Sequence, residues 1–188
     1  LACARFLSRT YQPLLYLLLG LCSAAAWAAR QAATAGTQAH YWPAPRWQLM
    51  SGIAAFGSIV AEVVEVDMTG GKPRLTNVWC AADPGFAMNP DGFRNQMEGG
   101  IVFGLTAALY GEISLKDGAV EQGNFHDYRL MRLDECPAIA VEIINGNHEK
   151  LGGAGEPGLP PAAPALANAI FAATGKRLRA LPLAKHFA

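Results

Sequence analysis

The clearest pattern in the chain starts at Ser58, where SIVAEVVEVDM alternates apolar and polar positions and is rich in β-branched residues. That period of two predicts a half-buried strand. A GGKP turn follows, then RLTNVWCAAD as a second strand, so Ser58–Asp83 reads as an antiparallel hairpin. The period then changes. Asp83 and Asn89 are turn and capping residue types around Pro84, Gly85 and Pro90, which predicts a loop leading into a helix from about Asp91 to Tyr110. Gly99, Gly100 and Gly104 fall on this helix and would let another backbone come close. Beyond it, GEISLKDGAVEQGNFHDYRLMRLDECPAIAVEII reads as strand, KDG turn, strand, loop and a β-branched strand over AIAVEII. Leu166, Ile170 and Phe171 recur at helical spacing in a last helix, Ala162–Thr174, with Gly175 as its stop. The fold class expected for residues 52–188 is α+β, with a mostly antiparallel sheet and two main helices.

The first 51 residues follow other rules. In residues 1–30, Arg5 and Arg9 precede PLLYLLLGLCSAAAWAA, a signal-peptide-like or membrane-like apolar run of roughly 17–19 residues. If this is a targeting segment, the protein is periplasmic or membrane-associated; otherwise it is cytoplasmic. Residues 31–51, rich in Ala, Thr, Gln and Pro, have no sustained periodicity and read as a poorly ordered linker, with a joint near Gly52.

Composition narrows the function classes. Formal net charge is zero and only 16% of residues are charged, so no basic face argues for nucleic acid. Cys3, Cys22, Cys80 and Cys136 show no CxxC or CxxH spacing, and His40, His126, His148 and His186 are dispersed, so no zinc or iron–sulfur site can be read. His126 beside Asp127 could form an acid/base pair, but adjacent residues of an extended chain point to opposite faces, and a structural role is favoured for this polar segment with Asn124 and Tyr128.

The chemistry concentrates in Leu151–Lys176, LGGAGEPGLPPAAPALANAIFAATGK. Glycines open the stretch, and one acid, Glu156, stands before Pro157, which biases it toward an extended conformation on a stiff loop. As bare residues this could be a connector with a carboxylate near a helix start. The longer segment GGAGEPGLPPAAPALANAIFAATGKRLRALPL, however, resembles the C-terminal part of the molybdopterin-binding large subunit of the xanthine dehydrogenase/aldehyde oxidase family. It is most similar to the isoquinoline 1-oxidoreductase β-subunit type. NPDGFRNQMEGG carries a second resemblance, to a Q-x-E-G segment of the same subunits.

The resemblance covers Gly52–Ala188 and implies a set of roles. Glu156 holds the position of the active-site base, Gln96 that of the glutamine hydrogen-bonded to the pterin, and Gly153, Ala154 and Gly155 those of the backbone beside the cofactor. Glu98 falls to local support. The implied cofactor is molybdenum–molybdopterin, in the cytosine dinucleotide form, with [2Fe–2S] clusters only in a partner subunit. The implied partners are that small subunit, the remaining part of the large subunit, and an aldehyde or N-heterocycle substrate hydroxylated with water-derived oxygen. Pro84 departs from relatives that carry another small residue there. A reading from a different class stays beside this one: a truncated, catalytically inactive domain, membrane-tethered, with an interaction or vestigial role.

Overall fold

A computed structural model of the chain describes residues 46–144 and 149–187, with side chains from residue 51 onward. The signal-peptide-like segment, most of the proposed linker, His40 and His148 lie outside the described residues.

A four-stranded sheet carries the fold. Strand β1 spans Arg46–Ala55, β2 Ser58–Asp67, β3 Arg74–Asp83 and β6 Ala138–Ile143; the sheet order is β1-β2-β3-β6. The expected hairpin is present: β2 and β3 pair antiparallel, with an irregularity between Glu65 and Val66. Asp67 closes its turn by accepting from Thr69 N and from Arg74 Nη2, and these bonds hold its carboxyl well below the usual range. The KDG turn is also found: Leu115–Lys116 (β4) and Ala119–Val120 (β5) pair across Asp117 and Gly118, both at positive φ. Helix α1 runs Pro90–Tyr110, capped by Asn89, whose Oδ1 accepts from Gly92 N at 3.0 Å. Helix α2 runs Ala162–Thr174 and ends at Gly175 in the left-handed region (φ 70).

The sheet is mostly antiparallel, but β6 runs parallel to β3, from Asn77–Ala138 to Ala82–Ile143. A parallel neighbour needs a crossover connection, and α1 lies in the connection between β3 and β6. Both helices pack against the sheet, and their buried residues (Phe93, Met97, Ile101, Leu105 and Leu109 from α1; Leu166 and Ile170 from α2) form one core with Val60, Val64, Val78 and Cys80. Of the three α2 residues at helical spacing, Phe171 lies at the margin, beneath the Arg177 guanidinium at 3.6 Å.

Two expectations are corrected. Residues 46–51 are not linker. They form the first part of β1, paired with β2 from Arg46–Asp67 to Ala55–Ser58. The strand escapes notice because it is closed by the two-residue turn Phe56-Gly57, both at positive φ, and phenylalanine is not a residue that announces such a turn. The NFHDY segment is a turn, not extended chain, so His126 Nε2 and Asp127 Oδ2 approach to 3.6 Å. The structural role stands nevertheless. Asp127 accepts from Gly123 N and Asn124 N, which lower its pKa, while His126 is 79% exposed.

Candidate active site

The glycine loop is fastened on two sides before it reaches Glu156. On one side Phe86 N donates to Lys150 O (2.8 Å) and Gly152 N to Pro84 O (2.7 Å), so the loop runs as a short antiparallel extension beside the end of β3. On the other, Gly153 N donates to Phe56 O (2.8 Å) and the buried Ser58 Oγ donates to Gly153 O (2.7 Å). Side chains would not fit in this slot: a Cβ on Gly152 would overlap Ser58 Oγ, and one on Gly153 would lie 2.7 Å from Phe56 Cβ. The chain then turns, with Leu159 N donating to Glu156 O (2.9 Å), and Pro157 and Gly158 are buried.

That turn packs directly on α1. A Cβ on Gly104 would stand 2.6 Å from Leu159 O, and one on Gly158 would stand 2.9 Å from Met97 O. Gly100 faces the backbone of Gly158 and Leu159 at 3.4 Å. The close backbone approach expected of the helix glycines is therefore real for Gly100 and Gly104, and the partner is the loop that carries Glu156. Gly99 behaves differently: a Cβ added there would meet no atom of another described element within 4 Å.

Above this seam lies an open cleft of about 460 Å³, lined on one side by Asn95, Gln96, Gly99, Gly100 and Phe103 of α1 and on the other by Gly155, Glu156, Leu159 and Pro160. Of the site residues that the resemblance implies, Gln96, Gly155 and Glu156 meet here. Gly153 and Ala154 do not line the cleft: Gly153 is spent on the Phe56–Ser58 slot, and Ala154 is half-buried against the core. Glu98 is absent from the cleft wall. Sequence reasoning passed over Asn95 and Phe103; both stand one helical turn from a recognised position, Asn95 before Gly99 and Phe103 after it. Glu156 is exposed, so the desolvation that suits a carboxylate to base chemistry is not supplied by the described residues.

The donor set is one carboxylate, two amides, an aromatic ring and bare backbone. It fits a polar organic group that lies against the chain. Among the described residues no group of three or more His, Cys, Asp or Glu gathers to hold a metal.

The fold is an α+β fragment that recurs in solved structures of larger enzymes. The quinoline 2-oxidoreductase structure from Pseudomonas putida shares the fold with a TM-score of 0.58 at 22% identity, over 67% of this chain and 17% of that one. The aldehyde oxidoreductase of Desulfovibrio gigas does so at 0.53 and 22%, over 66% and 14%. The family model described as the molybdopterin cofactor-binding domain matches residues 18–137, and the chain belongs to that family. The match begins well before Gly52, which corrects the expectation that residues 1–51 carry no family sequence, and it ends before the Glu156 loop.

Among curated relatives, the isoquinoline 1-oxidoreductase β subunit of Brevundimonas diminuta is 38% identical over 126 residues, covering 66% of this chain and 16% of the relative. A nicotinate dehydrogenase subunit of Pseudomonas putida is 36% identical over 130 residues, covering 69% and 11%. The chain thus spans less than a fifth of the relatives it matches.

Proposed function

We propose that this chain forms one wall of the molybdopterin site in a molybdenum-dependent oxidoreductase, with Glu156 as the active-site base. The observation that supports this most is that Gln96 on α1 and Glu156 on the glycine loop, far apart in sequence, line one cleft backed by bare backbone. When bound, the molybdenum cofactor would supply the two-electron oxidant for hydroxylating an sp² carbon, with water as the source of the oxygen atom and the electrons passing on to the acceptor. The chain's own residues do the rest. Gln96 offers an amide donor and acceptor to the pterin edge, and Gly155 lets that group approach the loop. Glu156, held by the turn to Leu159 and the packing of Pro157 and Gly158, accepts the proton released as oxygen is delivered to the substrate. Glu156 is exposed among the described residues, so in this reading the exclusion of water falls to the remaining part of the large subunit.

The substrate class is an N-heterocycle or aldehyde, the cofactor the cytosine dinucleotide form, and the electron acceptor a [2Fe–2S] partner subunit. In the complete enzyme complex, Glu156→Gln should lower turnover by roughly 10²–10⁴-fold while molybdenum content stays at the wild-type level. Turnover within a few-fold of wild type would remove Glu156 from the base role. A second reading, a catalytically inactive domain with an interaction role, draws on the open cleft and exposed Glu156. Molybdenum absent from the purified complex would select it.

A further inference from the structure

Two glycines in the cleft have no explanation among the described residues. Gly99 sits in the middle of α1, where alanine is the better helix former, and Gly155 sits on the facing loop. Neither adopts the left-handed backbone that glycine alone tolerates easily. Neither faces an atom that a side chain would strike, since a Cβ at either position meets nothing within 4 Å. Gly104 and Gly158 nearby are accounted for by the seam they close, where Gly100 lies in ordinary contact with the loop, and Gly152 and Gly153 by the slot beside Phe56 and Ser58. The two that are unaccounted for come from different elements and line the same cleft, one helical turn from Gln96 and next to Glu156.

Resting on the cofactor reading above, we infer that Gly99 is a ligand-contact position, whose bare backbone, with that of Gly155 across the cleft, the bound cofactor lies against. Gly99 gives up helix propensity for that contact. Phe103, one turn further along α1 and 62% exposed, bounds the same strip with an apolar ring. An added methyl at Gly99 would be harmless to the fold and harmful only to what occupies the cleft, a separation that packing glycines cannot show.

The test uses the complete enzyme complex, with molybdenum measured by elemental analysis, released pterin by fluorescence after oxidation, and the thermal midpoint recorded on the same samples. Gly99→Ala should unfold at the wild-type midpoint or above, yet bind cofactor about tenfold more weakly, the size of a modest steric clash. Gly155→Ala should weaken binding likewise with no fall in midpoint. Wild-type cofactor content in both variants overturns the inference while leaving the cofactor reading intact. A lowered midpoint in Gly99→Ala also overturns it, because the glycine would then be serving the fold. Wild-type complex without pterin overturns the cofactor reading itself, and the inference with it.

Discussion

The glycine loop meets helix α1 twice, and the two meetings differ. At the seam, a Cβ added to Gly104 or Gly158 would be pressed to 2.6 and 2.9 Å from main-chain atoms, while one on Gly100 would meet the loop at 3.4 Å, an ordinary contact. A few residues away, Gly99 and Gly155 look into open space. The same residue type does opposite things: it closes the protein on itself in one place and leaves it incomplete in the other. Cofactor sites are held by rigid elements and finished by what binds to them, and on the reading proposed above the rigid half is the seam.

The largest expected effect attacks the seam. Gly104→Ala places a methyl 2.6 Å from Leu159 O and 2.9 Å from Ala162 Cβ, and neither backbone nor helix start can yield cheaply. Alanine's better helix propensity offsets little of this. A loss of about 2–3 kcal/mol in denaturant unfolding is expected; an unchanged midpoint would mean that the seam is looser than it looks.

Next comes the core beneath, where a second carboxylate contrasts with Glu156. Glu62 faces the core from β2, fully buried, with neither carboxylate oxygen hydrogen-bonded among the described residues. It lies opposite Ser51 and Cys80 in the strand registers. Burial pushes its pKa well up, and burial followed by the Glu62 charge pushes up the Cys80 thiol. A raised folded-state pKa contributes stability that is present below the ordinary carboxyl range and is lost as pH rises toward the folded value. Glu62→Met should therefore stabilise by on the order of 1–3 kcal/mol near neutral pH and less near pH 4, read from unfolding curves at both. A gain independent of pH would show that Glu62 finds a partner.

A loss smaller than that at the seam is expected at the slot that anchors the loop. Ser58→Ala removes the 2.7 Å bond to Gly153 O and should cost about 1 kcal/mol. Hydrogen exchange at Gly152 and Gly153 should rise more than exchange in α1, since the donor lost is the loop's tie to β2. Uniform acceleration would place that tie in the global fold instead.

Much of this architecture was legible before any coordinates. The alternation from Ser58, the Asn89 cap, the KDG turn and the Gly175 stop are local signals, and each marks an element or boundary the structure contains. What escaped is non-local. Strand β1 depends on a turn with Phe56 at positive φ, and the parallel pairing of β6 with β3 depends on where α1 sets it down. The cleft was half legible. Gln96 and Glu156 could be named from motif resemblance, but the diversion of Gly153 to Ser58, ninety-five positions away, and the difference between Gly99 and Gly100 exist only in three dimensions.

The smallest expected effect probes the open side directly. Asn95 and Gln96 are exposed on α1, and no hydrogen bond to another described side chain holds either in place. Asparagine is a poorer helix former than alanine, so Asn95→Ala carries a slight propensity gain, and Gln96→Ala is nearly neutral. Stability should change by no more than about 0.5 kcal/mol in either variant. If the cleft is completed by a ligand, Gln96→Ala should nevertheless lose cofactor from the complete complex, because the amide's donor and acceptor are then used. The contrast with Gly104→Ala is therefore a crossing of two readouts: the seam variant falls in stability, and the cleft variant falls in cofactor content at unchanged stability. Gln96→Ala with both readouts at the wild-type level would leave the amide a solvated surface residue, and the open side of the comparison would rest on Glu156 and the bare glycines alone.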